Sequence, residues 1–331
     1  MRFLFAFLAI AATLTRHAAA DSYKPADKVV VIHKAPIVYE GRADDVAFIG
    51  WTYEIQRVDG DRLWVPSKTP GWIDQRYVIP FDQGAAFFSA QIKRDPTNKA
   101  AFRGRALVLL DDGKFDAAIA DFSELIRQNP KDSTIWNDRG RALLRKGDLD
   151  QAISDFTEAL RLEPKWPVYH SNRGIAWNKK GNYSKAILDW KAAIAIRPNF
   201  HWPHQWLAQL YANCPDKQFR NGLEAIYYAT TACGLSVWKE PQDIENLAAA
   251  YAESGQIDVA IQWQTKANAM YPKEVDRERG AQLLKAYQRQ RENPAEPPAV
   301  SSQEISSAPH SCSITVLVAE KADRLKRKVL V

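Results

Sequence analysis

Between residues 99 and 272 the apolar positions follow two nested periods. Over a few residues they fall three and four apart. Trp136, Gly140 and Leu143 of WNDRGRALLRKG are spaced this way, which puts them on one face of a helix. Over a longer window the pattern repeats every 34 residues. Gly113, Gly147 and Gly181 keep that interval, as do Ala118, Ala152 and Ala186, and Pro130, Pro164 and Pro198. Phe122, Phe156 and Trp190 each follow one of those alanines by four. Each unit therefore predicts two helices. The first ends at a glycine, where a residue without Cβ is favoured. The second ends at a proline, which cannot continue it. Gly140 and Gly174, with Ala106 in the first unit, leave room for the paired helix, and the three alanines hold the second helix close to the first.

A 34-residue period with two helices and a closing proline resembles the tetratricopeptide repeat, and the likeness covers residues 99–272. Three regular units are expected at 99–132, 133–166 and 167–200. A fourth at 201–234 carries an insertion, because Tyr211 to Ala225 is fourteen residues where the other units have nine. A fifth spans 241–273 through Leu247, Ala248, Tyr251, Gly255, Ala260, Ile261, Ala267 and Pro272. Residues 84–96 read as a half-repeat covering one end of the stack. Residues 274–292, with a narrow stripe of Leu283, Leu284 and Tyr287, read as a solvated capping helix at the other.

Residues 28–82 have another rhythm. VVVIH is a short apolar run, and GWTYEIQRV and RLWVP flank Asp59-Gly60-Asp61, a strong hairpin signal. Pro70-Gly71 marks another turn before WIDQRYVIPF. Four or five short strands in this length predict a small all-β barrel. KAPIVYEG, GDRLWV and the Gly71-Trp72-Ile73 run are similar to a bacterial Src-homology-3-like barrel. That resemblance implies a binding module, frequently for cell-wall peptides. The expected fold is thus a small β-barrel followed by an all-α helical-repeat solenoid.

The ends differ again. Arg2, the apolar FLFAFLAIAATL and Ala18 to Ala20 form a secretory signal pattern at residues 1–20, too short for a stable membrane span. An exported chain, periplasmic or extracellular, is expected. Residues 293–331 open with a Pro- and Ser-rich stretch and close on EKADRLKRKVLV, and are expected to be disordered. The net charge of +6, from 45 basic and 39 acidic residues, is too mild to argue for nucleic acid.

Motifs for chemistry are scarce. No Gly-x-Ser-x-Gly, His-Glu-x-x-His or Walker-type Gly-Lys-Ser/Thr occurs. Three cysteines are too few for a disulfide scaffold. His201, His204, Cys214 and Cys233 invite a zinc or Cys–His reading. However, Cys214 ends one helix of its pair and Cys233 the antiparallel one, which separates them by roughly 15 Å at 1.5 Å per residue. Two buried free thiols are expected, with no cofactor and no metal.

The inner face of the array is the better candidate. In tetratricopeptide arrays the first helices line a concave channel. The matching positions here are Arg103, Asn137, Arg141, Arg145, Asn178, Lys179, Trp202, Gln205 and Gln209. Arginine offers a bidentate fork to carboxylates, and the amides suit an extended peptide backbone. Leu107 and Ile175 replace positions that a carboxylate clamp would make polar. The expected function is a non-catalytic protein–protein interaction scaffold outside the cytoplasm, its partner a protein or an acidic peptide. The alternative is a cell-wall (peptidoglycan)-binding protein acting through the barrel.

Overall fold

A computed structural model describes residues 23–39, 42–67 and 70–293. Eight strands come first: β1 (Lys28–Val31), β2 (Ala35–Tyr39), β3 (Arg42–Ala47), β4 (Thr52–Glu54), β5 (Arg57–Asp59), β6 (Arg62–Val65), β7 (Gly71–Asp74) and β8 (Val78–Pro80). Helices follow: α1 (Phe81–Arg94), α2 (Lys99–Asp111), α3 (Phe115–Gln128), α4 (Ser133–Lys146), α5 (Leu149–Leu162), α6 (Pro167–Lys179), α7 (Tyr183–Ile196), α8 (His201–Asn213), α9 (Gly222–Leu235), α10 (Pro241–Glu253), α11 (Ile257–Met270) and α12 (Glu274–Glu292). Residues 1–20 and most of the tail, with the leader and disorder expected there, lie outside the described residues. Among the described residues no helix is long and apolar enough to cross a membrane.

The chain divides into two compact units, with the boundary after Asn129. In the first, the strands form two antiparallel sheets in the orders β4-β1-β8 and β3-β2-β7-β6-β5. The strand-rich region is as expected; a closed barrel is not shown, because both sheets are open. The hairpin turns where the Asp-Gly signal put it. Asp59 pairs with Arg62, and Gly60 has φ +56 as the first loop residue, the pattern of a type II′ turn. Alternation sorts the side chains: Leu63, Val65 and Ile73 face inward and are buried, while Trp64 and Trp72 face out, half-exposed.

All three valines of β1 at 29–31 are fully buried, as expected for a strand covered on both faces. Val30 packs in one cluster with Phe88 of α1 and with Ala101 and Val108 of α2. Gly104 makes this possible, because a Cβ there would lie 2.5 Å from the Phe88 ring. The strand region and the first helix pair therefore share a core.

The second unit runs from Pro130 through helices α4 to α12, which pack as successive pairs. The small residues do what their spacing implies. A Cβ on Gly140 would sit 2.7 Å from Phe156, and one on Gly174 2.5 Å from Trp190. Of the tryptophans expected in the core, Trp190 is buried and stacks on Trp206 at 6.3 Å. Trp136 is only half-buried: its indole N–H donates to the Pro130 carbonyl, and Arg139 lies over its ring. Gly113, Gly147 and Gly181 take φ of +76, +99 and +80 after the first helices, a conformation that a side chain disfavours.

Each regular repeat is also latched by an ion pair. Arg139 binds Asp155 bidentately at 2.7 and 2.8 Å, and Arg173 binds Asp189 at 2.9 and 2.8 Å. In the first unit Arg105 binds Asp121 at 2.8 and 2.6 Å. The arginines come from first helices and the buried aspartates from second helices, sixteen residues on.

The second helix of the fourth unit runs two residues past the Cys233 end expected for it: α9 continues to Leu235, and the left-handed turn falls on Val237 and Trp238 at φ +53 and +58. Left-handed backbone costs an L-residue roughly 1–2 kcal/mol, and a β-branched one suffers most. The turn is held by Trp238 N–H donating to the Cys233 carbonyl at 2.8 Å and by Trp238 stacking on Trp263 at 5.3 Å, with Lys266 over both rings. Because Val237 is 69% exposed, its side chain adds little packing to offset the strain. Val237→Asn is expected to raise unfolding free energy by about 1 kcal/mol, since asparagine tolerates this conformation. Urea denaturation checks it; an unchanged or lowered midpoint refutes the strain assignment.

Candidate functional site

The inner-face candidates in the second unit come from the first helices of successive repeats. Asn137, Arg141 and Arg145 lie on α4 at spacings of four, which keeps them on one stripe. Asn178 and Lys179 close α6, and Trp202, Gln205 and Gln209 lie on α8. Arg103 belongs to α2 in the first unit and is described there alone.

These side chains are not equally available. Asn137 is buried and accepts from Asn172 at 2.7 Å, joining α4 to α6. Gln205 is also buried. Arg141 stands 3.6 Å from the fully buried Asp138, and its Nη1 is enclosed without a hydrogen-bond acceptor. Arg141 therefore neutralises a buried carboxylate. Arg145 and Lys179 are exposed, and Asn178, Trp202 and Gln209 are half-exposed. Lys179 has no carboxylate partner among the described residues.

Two acids of α10, Glu245 and Glu253, are already engaged. Glu245 accepts from Tyr271 Oη at 3.0 Å and Gln242 Nε2 at 3.0 Å and faces Arg279 of α12 at 3.4 Å. This polar cluster, with Leu283, Ala286 and Tyr287 buried beside it, seats the last helix. The capping helix thus buries more than the narrow apolar stripe implied. Glu253 faces Arg220 at 3.5 Å.

His201, His204 and Cys214 point to separate partners. His201 Nε2 meets Asp243 at 2.7 Å, and His204 Nε2 meets the Pro198 carbonyl at 2.9 Å. Burial holds His204 below the usual imidazole range. Cys214 and Cys233 are free, buried thiols in one apolar core. Burial pushes the Cys233 thiol up to about 12, with Asp243 adding to it. Such a thiol is inert at neutral pH. Among the described residues no three His, Cys, Asp or Glu side chains could hold a metal ion. The five-residue insertion is folded down rather than left open. It forms a short turn at Lys217–Phe219, Phe219 packs on Tyr183 at 5.4 Å, and Arg220 donates to the Cys214 carbonyl at 2.6 Å.

The latch carboxylates show how local partners set titration. Burial raises Asp155, and Arg139 offsets this only in part. At Asp189 burial also pushes upward, but Arg173 and His170, the latter at 3.3 Å, together outweigh it and lower the group.

The aromatic face of the first unit is formed by Tyr39, Trp64 and Trp72, which lie in the runs that carry the Src-homology-3-like resemblance but in none of the expected binding positions. Trp64 packs edge-to-face on Trp72 at 5.1 Å and on Tyr39 at 5.9 Å. The register pairs Trp64 with Trp72, which puts both on one side of the sheet.

The comparisons agree with this architecture. Residues 81–133, 103–167 and 137–199 match the tetratricopeptide repeat family, so the chain carries tetratricopeptide repeats. Among solved structures it is similar to the yeast Tom70 crystal structure, with a TM-score of 0.52 and 19% identity over 68% of this chain and 46% of that one. It is also similar to the anaphase-promoting complex hetero-tetramer Cut9–Hcn1, with a TM-score of 0.54 and 19% identity over 75% of this chain and 46% of that one. Against a crystal structure of MamA the TM-score is 0.43 at 21% identity, over 48% of this chain and 90% of that one. The chain thus spans a little under half of the Tom70 and Cut9–Hcn1 chains. The Tom70 and Cut9–Hcn1 likenesses show a helical-repeat fold. No curated protein matches the sequence.

Proposed function

We propose that the protein is a non-catalytic interaction scaffold whose second unit grips an acidic peptide segment along α4, α6 and α8. The observation that carries this is the exposed Lys179, which has no carboxylate partner among the described residues, next to the half-exposed Asn178; with Arg145, Trp202 and Gln209 they would line one inner face. The latch arginines Arg139 and Arg173 are spent on buried aspartates, Arg141 faces Asp138 and Lys146 pairs with Asp148, so Lys179 is the cation of these helices best placed to meet a ligand. Amides at 178 and 209 would pair with a peptide backbone, and the half-exposed Trp202 would cover an apolar side chain. The tetratricopeptide match supports a protein or peptide partner. The leader pattern at residues 1–20 supports work outside the cytoplasm, which N-terminal sequencing of the mature protein would test.

Arg141 is a poor probe, since reversing its charge would set a second acid against the buried Asp138. The better test is Arg145→Glu with Lys179→Glu. Titration of the full chain with a panel of acidic decapeptides is expected to give saturable binding, weakened about tenfold or more, about 1.4 kcal/mol, in the double variant. Helical circular dichroism should stay unchanged. Equal affinity for the two proteins would remove the groove from the proposal.

A further inference from the structure

The five-stranded sheet ends in β5, paired with β6 on one side only. Its outer face carries a guanidinium that no described carboxylate neutralises. Arg57 lies 4.2 Å over the Trp64 ring and 5.6 Å from Trp72. The other two arginines of this face are paired: Arg62 with Asp59, and Arg76 with Asp74 at 3.2 Å. Arg57 is exposed and has no carboxylate partner among the described residues. Stacking on an indole leaves the edge of a guanidinium, with its N–H donors, facing outward and restricts its motion. Beside it Tyr39, 44% exposed, with Trp64 and Trp72, makes an apolar floor across β2, β7 and β6.

We infer that this face is a second binding site, which takes an acidic peptide added as an extended strand along β5, with a carboxylate on Arg57 and an apolar side chain against the aromatic floor. Three features converge on that ligand. Arg57, without a carboxylate partner among the described residues, asks for an anion. The open edge of β5 offers backbone donors and acceptors that only a polypeptide in extended form can use. A residue of an added strand beside Arg57 lies on the same sheet face, where opposite charges attract. Asp59, two residues on, is already neutralised by Arg62, so it does not repel the incoming acid. The site is separate from the inner face of the repeats and stands without it.

The test uses the isotopically labelled full chain and the acetylated, amidated heptapeptide Leu-Glu-Val-Glu-Leu-Glu-Val. The expected result is saturable movement of the Trp64 and Trp72 indole N–H and Arg57 Nε–H signals. Arg57→Gln should weaken binding about tenfold, Trp64→Leu should also weaken it, and raised salt should lower the affinity. Arg57 is an exposed residue, so its exchange leaves the fold intact. Arg145→Glu with Lys179→Glu should leave these shifts unchanged. No saturable shift, undiminished binding in Arg57→Gln, or equal binding of the glutamine analogue would overturn the site. Inorganic phosphate alone giving the same shifts at the same concentration would overturn the peptide assignment.

Discussion

Arg139→Met is expected to destabilise the second unit by about 3–5 kcal/mol, the usual result of removing one member of a buried pair. Asp155 is 4% exposed and takes both its close contacts from that guanidinium. Without it a carboxylate is left in an apolar surround, or takes up a proton and loses its charge-assisted bonds. Asp155→Asn should cost less, because it removes the buried charge together with the need to balance it. Combining Arg139→Met with Asp155→Leu should recover much of the loss, since apolar pairs of similar volume often replace such bridges without penalty. The double-mutant cycle, read by urea unfolding, should therefore be strongly non-additive. Additive losses would show that the latch carries no coupling energy, and its regular recurrence would need another cause.

Trp190→Ala should be comparably severe, about 3–5 kcal/mol, as for other large aromatic truncations. The indole is 1% exposed, stacks on Trp206 and donates to the Ser171 carbonyl at 3.2 Å. The reciprocal change, Gly174→Ala, inserts a methyl 2.5 Å from the indole nitrogen and should cost about 1–3 kcal/mol by overpacking. Placed together, the alanine at 174 should cost little, because the cavity left at 190 accepts its methyl. Thermal unfolding of the three variants separates the cases. A full Gly174→Ala penalty in the Trp190→Ala background would mean that the glycine serves backbone conformation and not close approach.

Much of this architecture could be read from residue spacing, and the reasons are local. Gly140 with Phe156, and Gly174 with Trp190, are small–large pairs within one helical hairpin, so their 16-residue offset survives as a period in the chain. The Arg–Asp latches obey the same offset at 105, 139 and 173 and were equally visible. They escape a search for apolar periodicity because both partners are charged. The open sheets were less legible. Strand runs and the Asp-Gly turn mark elements, but closure depends on which edges pair across distant segments. The site was the least legible part. Arg141 and Arg145 occupy like positions four residues apart, yet one balances the buried Asp138 and the other is exposed. Arg57 was passed over because its isolation depends on Arg62 and Arg76 having partners, which only side-chain geometry reveals. The left-handed turn at Val237 and Trp238 was not legible at all, because it is held by the stacking of Trp238 on the distant Trp263.

The latches have a consequence for the length of the molecule. Arg139 and Asp155 lie within one repeat, and Arg173 and Asp189 within the next, so no bond of this kind crosses a repeat boundary. Deleting residues 147–180 would join Lys146 to Gly181 and hand Arg139 the carboxylate of Asp189 at the usual offset. Such an excision leaves neither Arg139 nor Asp189 without a counter-charge. The reach of this scaffold can therefore be cut or extended in whole 34-residue steps, a freedom that few single-core proteins possess.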